Sequence, residues 1–170
     1  MKRALVTGGA GFIGSNLVDA LIEQGCSVII IDDLSTGKLK NIHSDAEFHK
    51  HDLASIELNK LIAILKDVDI VFHLAALARV QPSIADPLKY EVNNTIGIVN
   101  MLKSASDTGV KRFVYSASSS AYGDPKTLPS KESYPTNPIS PYAAQKYYGE
   151  VCCKMFAKVY GIETVSLRYF

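Results

Sequence analysis

The sequence predicts an α/β protein built on a doubly wound parallel sheet of about six strands, with helices on both faces in three αβα layers. Two observations lead to this fold class. Short runs of apolar, often β-branched residues alternate with longer segments whose apolar residues recur at helical spacing. A glycine-rich turn joins the first apolar run to the first helical segment. At 170 residues the chain is long enough to bury one core, so we treat residues 1–170 as one domain.

Solid apolar runs mark the strands, because a strand that is buried on both faces of a parallel sheet carries few polar residues. The third run is the weakest of the six. The predicted strands are 4–7, 28–31, 46–49, 70–72, 112–115 and 163–168.

Helical periodicity predicts four helices between these strands. The first begins near Ile13 and ends at Gly25, since glycine commonly terminates helices. The last begins after Ser140, an N-cap residue followed by Pro141 in the first turn. The predicted helices are about 13–24, 58–65, 85–107 and 141–160, with a long irregular segment at 123–140.

Charge and composition exclude several classes of protein. Eighteen Lys and Arg against seventeen Asp and Glu give a net charge of +1, so no basic excess is available for nucleic acid or an anionic membrane. No apolar run approaches the roughly 20 residues of a membrane helix, and glycines interrupt the N-terminus too early for a signal peptide. The three cysteines, two of them adjacent, cannot all pair, so we expect a reducing, cytoplasmic location. The chain stops at Phe170, directly after an apolar strand, and we expect it to be a fragment.

Gly8, Gly11 and Gly14 form a G-x-x-G-x-x-G pattern between the first strand and the first helix. The first glycine permits a tight turn, the second lets the backbone approach a diphosphate, and the third lets helix and strand pack closely. Free N–H groups at the helix N-terminus attract phosphate. This context favours a dinucleotide site over a merely structural turn, and with it the Rossmann type of doubly wound sheet.

Asp32 lies at the end of the second strand, 18 residues beyond Gly14. A carboxylate at this position accepts both ribose hydroxyls of an adenosine and repels a 2′-phosphate, so NAD is favoured over NADP. Asp33 is adjacent and is an alternative for this role. Lys38 would offset part of the repulsion if the loop folds back.

Tyr142 and Lys146 are four residues apart and therefore share one face of the last helix. A nearby ammonium favours the phenolate, so we expect the pKa of Tyr142 to be lowered and Tyr142 to act as a base towards an alcohol. Ser118, in the serine-rich segment after the fifth strand, is placed to pass a hydrogen bond between the substrate and Tyr142. A small-residue turn is the alternative interpretation of this segment.

Other interpretations are less favoured. His49 and His51 share one face of a strand, but no further ligand cluster accompanies them, so no metal is predicted. A serine hydrolase is disfavoured because no G-x-S-x-G elbow is present, and His73 is expected to fix loop structure. A dinucleotide-binding module without catalysis, and a dehydrogenase or reductase that exchanges its cofactor, both stay open.

Taken together, these motifs resemble the extended short-chain dehydrogenase/reductase family of NAD-dependent nucleotide-sugar epimerases and dehydratases. The resemblance covers the whole chain, and the ordered set of motifs is more specific than any one of them. It rests on the segment 7–14, Asp32, the segment 73–76, Asn93, Ser118, the pair 122–123, Tyr142 with Lys146, and the segment 167–170.

The resemblance implies a set of site residues. Asp52 and Leu53 would lie against the adenine, Asn93 would stabilise the helix behind the site, and Lys146 would also hold the nicotinamide ribose. The remaining cofactor contacts would come from Phe12, Ile13, Ser35, Thr36, Gly37, Leu74, Ala75, Ala76, Ser116 and Phe170. The substrate would be contacted by Arg79, Ser83, Ser118, Ser119 and Tyr142.

Within this family, dehydratases carry Asp-Glu after the catalytic Ser or Thr, and decarboxylases keep the Glu. This chain has Ser119 and Ser120 there, so elimination and decarboxylation lack their acid or base. The resemblance therefore implies an epimerase of UDP-glucose/UDP-galactose or their N-acetyl analogues, which oxidises C4 transiently with bound NAD. The substrate-binding region of the family, beyond Phe170, is absent from this chain. We expect weakened NAD binding and no turnover from these 170 residues.

Family members commonly form homodimers through two helices, which correspond here to about 85–107 and 141–160. We expect a homodimer through these helices, with UDP-sugar as the other partner. Tyr90, Ile98, Met101, Cys153 and Phe156 are the candidates for the apolar outer face, and packing of some of them on the sheet is the alternative.

Overall fold

The computed structural model describes residues 2–170 and confirms the predicted α/β fold. Six parallel strands form one sheet in the order β3-β2-β1-β4-β5-β6, so the direction of strand succession reverses between β1 and β4. A reversal of this kind opens a crevice at the carboxyl ends of the two strands. The strands are β1 (Arg3–Thr7), β2 (Ser27–Asp32), β3 (Glu47–Lys50), β4 (Ile70–His73), β5 (Arg112–Ser118) and β6 (Glu163–Tyr169).

The helices follow the predicted alternation, with two differences. A short helix that was not predicted, Val80–Ala85, precedes the one predicted at 85–107, which begins at Pro87 because Asp86 accepts a hydrogen bond from the Lys89 N–H and caps it. A π-helical turn, Val92–Ile96, then connects this helix to the next one. The helices are α1 (Phe12–Glu23), α2 (Leu58–Ile64), α3 (Val80–Ala85), α4 (Pro87–Glu91), α5 (Gly97–Asp107) and α6 (Pro141–Tyr160), and short 3-10 turns occur at Leu39–Asn41 and Ser119–Tyr122.

The core lies mainly on one side of the sheet. The larger apolar cluster is between the strands and α2, α5 and α6, and includes Leu61, Met101 and Phe113. The smaller cluster is between α1 and the first two strands, and includes Val6 and Val18. Between them the two clusters bury both faces of β1 and β2.

The expectation that helices cover both faces of the sheet is wrong for β6. Thr164 and Arg168 bond to Cys153 and Glu150 of α6, so alternate residues of the strand point to the opposite face. On that opposite face the exposed fraction is 42% for Val165 and 40% for Leu167. An apolar strip is therefore uncovered along this edge of the sheet.

The apolar residues expected on the outside of the dimer helices are buried instead. Tyr90, Ile98, Met101, Cys153 and Phe156 all face the interior, because these positions pack on the sheet and on neighbouring helices. The outward positions of the same helices carry a different apolar set: Leu88, Val92, Ile96, Tyr148, Val151, Met155 and Val159.

Helix α6 begins and ends as the sequence predicts. The Ser140 hydroxyl accepts a hydrogen bond from the Ala143 N–H, and Gly161 ends the helix in the left-handed conformation. No helix among residues 2–170 is long and apolar enough to cross a membrane.

Gly149 allows α6 to lie unusually close to β5. A Cβ atom at this position would be 2.4 Å from the Cζ and hydroxyl oxygen of Tyr115, whose side chain is fully buried beneath the helix. The Tyr115 hydroxyl in turn donates to the Lys146 carbonyl at 3.4 Å. This close approach sets the height of α6 above the sheet.

We therefore predict that Gly149→Ala lowers the free energy of unfolding by about 1–3 kcal/mol, because the added methyl group must displace the Tyr115 ring. Urea denaturation of the two chains measures this difference. Gly97→Ala is the matched control, since its Cβ would meet Leu53 at an ordinary 3.4 Å. Equal effects of the two substitutions would contradict the prediction.

Candidate active site

A cleft of about 530 Å³ opens at the carboxyl ends of the strands, where the strand order reverses. It runs from the glycine-rich turn and the end of β2 to α6 and the end of β6. The predicted residues that line it are Gly8, Gly11, Phe12, Ile13, Gly14, Asp32, Asp33, Ser35, Thr36, Asp52, Leu53, Leu74, Ala75, Ala76, Asn93, Ser116, Ser118, Ser119, Tyr142, Lys146 and Phe170.

The glycine-rich turn is packed too tightly for side chains. Gly8 has φ +70°, and a Cβ there would lie 2.9 Å from the Ala75 nitrogen, while a Cβ on Gly14 would lie 2.2 Å from the Gly8 carbonyl oxygen. Gly11 is the N-cap residue of α1 and has no side chain that could accept a hydrogen bond. The N–H groups of the first helical turn, which have no partner within the helix, are therefore left without a side-chain cap. These groups lie in the wall of the cleft and fit the diphosphate of a dinucleotide.

Asp32 ties the end of β2 to the glycine-rich turn. One oxygen of its buried carboxylate accepts from the Ala10 N–H at 3.0 Å and the other from the Leu34 N–H at 2.8 Å. Gly37 does not line the cleft. It makes room for this carboxylate, since a Cβ there would lie 2.8 Å from Asp32 Oδ1. Asp33 serves a local turn, accepting from the N–H and hydroxyl of Ser35.

The end of the cleft beyond β3 contains His51, Asp52 and Leu53. The Asp52 carboxylate caps a turn by accepting from the Ala54 N–H and the Ser55 hydroxyl. Sequence reasoning missed His51 as a cleft residue, although its position directly after a strand was a usable signal. The pKa of His51 is lowered by burial and by the nearby positive charges of Lys60 and His49.

Thr7 joins β1 to the loop that follows β4. Its hydroxyl accepts from the Leu74 and Ala75 N–H groups, each at 3.1 Å, and lies 3.0 Å from His73 Nδ1. With two bonds accepted, the hydroxyl proton is directed to Nδ1, which places the ring proton of His73 on Nε2. Burial lowers the pKa of His73 to about 3, so the ring is neutral. Through its contact with Thr7, His73 helps to fix the loop after β4, which is the structural role expected from the sequence.

Lys146 lies at the bottom of the cleft on α6. Its ammonium donates to the Ser116 carbonyl at 2.7 Å and lies 5.0 Å from the centre of the Tyr115 ring. Burial lowers the pKa of this amine to about 8. Its one protein hydrogen bond leaves two N–H donors available for a ligand.

The expected lowering of the Tyr142 pKa is wrong for the chain by itself. Burial raises the pKa of Tyr142, and the Ser118 hydroxyl only partly opposes this. Lys146 does not reverse the effect because its ammonium is directed to the Ser116 carbonyl. A further positive charge in the cleft would therefore favour the phenolate.

Ser118 is at the last position of β5, paired in register with Tyr169 of β6. Its hydroxyl oxygen lies 3.2 Å from the Ser120 nitrogen and 2.8 Å from the Ser120 hydroxyl oxygen. The carboxyl end of β5 thus brings Ser118 into the same cleft as Tyr142 and Lys146.

Two predicted substrate contacts lie outside the cleft. Ser83 is fully buried, and its hydroxyl donates to the Val80 carbonyl at 2.6 Å and accepts from the Tyr142 N–H at 3.1 Å. It therefore positions the start of α6 and, because it is fully buried, is not open to a substrate. Arg79 is exposed at the start of α3, with φ +86°, and does not reach the lining.

Asn94, which sequence reasoning missed, connects the helix behind the site to two other elements. Its side chain accepts from the Leu77 N–H at 2.8 Å and donates to the Leu77 carbonyl and to Gln145 of α6. Asn93 lines the cleft, and its side chain donates to the Lys89 carbonyl one turn back. The adjacent asparagines take different roles because neighbouring residues of a helix point in different directions.

Glu150 and Arg168 form a buried ion pair that sequence reasoning also missed. Two hydrogen bonds of 2.8 and 2.7 Å join α6 to β6, and Glu150 holds the pKa of Arg168 above its usual range. The guanidinium lies 4.4 Å from the centre of the Tyr122 ring, which stacks on Phe170. The pair therefore holds the end of β6 against the helix that carries Tyr142.

Comparison with known proteins agrees with this geometry. The model of the NAD dependent epimerase/dehydratase family matches residues 4–170. A putative UDP-glucose 4-epimerase of Methanocaldococcus jannaschii is 43% identical over 166 residues, which are 97% of this chain and 54% of that protein.

Two solved structures show the same likeness. The UDP-N-acetylglucosamine 4-epimerase from Methanobrevibacter ruminantium M1, in complex with UDP-N-acetylmuramic acid, has a TM-score of 0.93 and 45% identity, covering 99% of this chain and 55% of that one. The UDP-glucose 4-epimerase from Brucella ovis, in complex with NAD, has a TM-score of 0.94 and 35% identity, covering 100% of this chain and 52% of that one.

The chain spans about half the length of these relatives. The family model, by contrast, matches this chain almost from end to end, including the glycine-rich turn, Ser118, Tyr142 and Lys146. The chain thus belongs to the NAD-dependent epimerase/dehydratase family.

Proposed function

We propose that this chain is the NAD-binding and catalytic half of a 4-epimerase that acts on UDP-glucose/UDP-galactose or their N-acetyl analogues. One observation carries the proposal: Tyr142, Lys146 and Ser118 line the same cleft as the unpaired N–H groups at the start of α1. The names of the relatives described above, two 4-epimerases and one putative 4-epimerase of UDP-sugars, support the same reaction.

The residues of the cleft fit NAD along its length. The first turn of α1 would bind the diphosphate, Asp32 the adenosine ribose, and Asp52 with Leu53 the adenine. When bound, NAD supplies a reversible hydride acceptor for the sugar carbon. Lys146 has donors left for the nicotinamide ribose, and Leu74 lies in the same wall of the cleft.

Tyr142 is the proposed base for the sugar 4-hydroxyl. In its phenolate form Tyr142 would take that proton, directly or through Ser118, as hydride leaves C4, and would return it when hydride comes back on the other face of the 4-keto sugar. The buried Lys146 ammonium keeps positive charge near this end of the cleft. A positive charge added by a bound ligand would oppose the effect of burial and lower the pKa of Tyr142.

The distribution of carboxylates favours epimerisation over elimination or decarboxylation. Within the described part of the chain, the acidic residues that line the cleft are Asp32, Asp33 and Asp52, all at the β2–β3 end. At the Tyr142 end, Ser119 lines the cleft at the position where the family's dehydratases carry an acid. A second acid or base for C5 or C6 chemistry is therefore missing among these residues.

We further propose that most substrate contacts come from a region outside these 170 residues. The uncovered apolar strip of β6, with Val165 and Leu167 about two-fifths exposed, supports a covering segment on that face. NAD would accordingly bind more weakly to this chain than to a longer form, and the chain by itself would show no turnover.

The three free cysteines, two of them buried, fit the proposed cytoplasmic location.

We propose a homodimer through the surface formed by α4, the π-helical turn and α6. Leu88, Val92 and Ile96 follow one another at four-residue spacing on one outward stripe, with exposed fractions of 79%, 47% and 44%. Val151 and Met155 of α6 are exposed nearby, and α4 contacts α6 directly. Two apolar helix stripes of this kind can pack against their copies as a four-helix bundle.

Replacing Val151 with Glu should convert the dimer to a monomer, because two carboxylates would be buried close together in the symmetric interface. Sedimentation velocity at micromolar concentration measures the mass. Leu39→Glu, on an exposed 3-10 turn away from these helices, is the control and should leave the dimer intact. A dimer that survives Val151→Glu, or a monomeric parent chain, would exclude this interface.

Tyr142→Phe should reduce turnover by roughly 10³-fold while NAD affinity changes by less than about twofold, because only the phenolic proton acceptor is lost. The measurement is conversion of UDP-glucose to UDP-galactose by a chain extended to the length of its relatives. Tyr148→Phe, on the exposed side of α6, is the matched control. Activity that persists in Tyr142→Phe would remove Tyr142 from the role of base.

Asp32→Ala should reduce the preference for NAD over NADP by roughly tenfold or more, because the charge that repels a 2′-phosphate is removed. Calorimetric titration with both nucleotides gives the ratio of dissociation constants. Asp33→Ala should change this ratio little, since its carboxylate serves the Ser35 turn. The opposite ranking of the two variants would transfer the role to Asp33.

A further inference from the structure

Ser120, to which nothing above assigns a role, forms two contacts with Ser118. Its N–H lies 3.2 Å and its hydroxyl oxygen 2.8 Å from the Ser118 hydroxyl oxygen. Ser118 thereby caps the 3-10 turn Ser119–Tyr122 at the edge of the cleft. Ser120 itself is half-buried and does not line the cleft, so its hydroxyl serves the turn and not a ligand.

A count of donors and acceptors limits how this pair can be arranged. A serine hydroxyl has one proton and two acceptor positions, and the Ser120 N–H fills one acceptor position of Ser118. If Ser118 donated to Ser120, its only proton would point away from the cleft. If Ser120 donates instead, both acceptor positions of Ser118 are filled and its proton is free to point into the cleft.

Tyr142 decides between these two arrangements. Ser118 and Tyr142 line the same cleft, and on the proposed function the Ser118 hydroxyl stabilises the phenolate form of Tyr142. A phenolate oxygen only accepts hydrogen bonds, so Ser118 must be the donor towards it. Ser120 must then be the donor to Ser118.

We propose that Ser120 is a positioning residue, which fills the second acceptor position of Ser118. The Ser118 hydroxyl can then only donate into the cleft, to Tyr142 or to a bound alcohol. The result is a chain of two hydroxyl groups that ends at Tyr142. Each bond in such a chain polarises the next one, so the effect of Ser120 reaches Tyr142 only through Ser118. This inference rests on the proposed role of Tyr142 as a base. Of the two routes named for the sugar proton it favours the direct one, because Ser118 has no acceptor position left for a relay.

The test is the pKa of Tyr142, measured in this chain by NMR of the tyrosine ¹³Cζ between about pH 8 and about pH 12. The Tyr142 signal is assigned by its loss in Tyr142→Phe. Ser120→Ala should raise the pKa of Tyr142 by about half a unit or more, as expected for one lost hydrogen bond in a buried chain. Ser120→Thr keeps the hydroxyl and should restore the original pKa.

A double-mutant cycle separates this role from a merely structural one. In a Ser118→Ala background, Ser120→Ala should cause no further shift, since the connection to Tyr142 is already broken. Ser119→Ala is the matched control, because Ser120 and not Ser119 supplies the bonds to Ser118 among the described residues. If Ser120→Ala does not fold, Ser120→Cys, which has a weak donor of similar size, should shift the pKa in the same direction.

An unchanged pKa in Ser120→Ala, an equal shift in the Ser118→Ala background, or an equal shift from Ser119→Ala would each overturn the inference. The pKa of Tyr142 is measured without turnover, so the test remains valid even if an extended chain proves inactive on UDP-sugars. In that case the proposed epimerase function fails, while the hydroxyl chain is still confirmed or refuted by the titration.

Discussion

The close approach of α6 to β5 is the constraint on which the site depends. Gly149 has no Cβ, and the buried Tyr115 ring occupies the space that one would fill. The helix can therefore place Lys146 within 2.7 Å of the Ser116 carbonyl, at the end of the neighbouring strand. Ser83, Gln145 and Glu150 then hold α6, the helix that carries Tyr142, to three other elements.

The same burial that creates this geometry also sets its electrostatics. It raises the pKa of Tyr142 and lowers that of Lys146 to about 8, which disfavours the charged form of each group. The pair by itself is therefore poorly prepared to remove a proton. On the proposed function, positive charge brought by the cofactor and the hydrogen bond from Ser118 both favour the phenolate, so chemistry is coupled to cofactor binding.

The fold and most of the cleft were predictable because they depend on local patterns. Apolar runs predicted the strands. The glycine-rich turn predicted one end of the cleft, and the Tyr142–Lys146 spacing predicted the other. The errors came from tertiary contacts that a single sequence does not encode locally. Helical spacing did not say which side of α5 faces the sheet, so Ile98 and Met101 were placed outside. Residue type did not show that Ser83 would be fully buried, nor that Glu150 would find a partner on β6.

The measurement that tests this account most directly is the identity of the nucleotide held by the purified chain. Mass spectrometry after denaturation, followed by calorimetric titration if no nucleotide is released, gives the answer. The account predicts released NAD, or saturable NAD binding that tightens when the chain is extended to the length of its relatives. Failure of both this chain and the extended chain to bind NAD would contradict it, because the cleft would then lack the cofactor on which the proposed reaction depends.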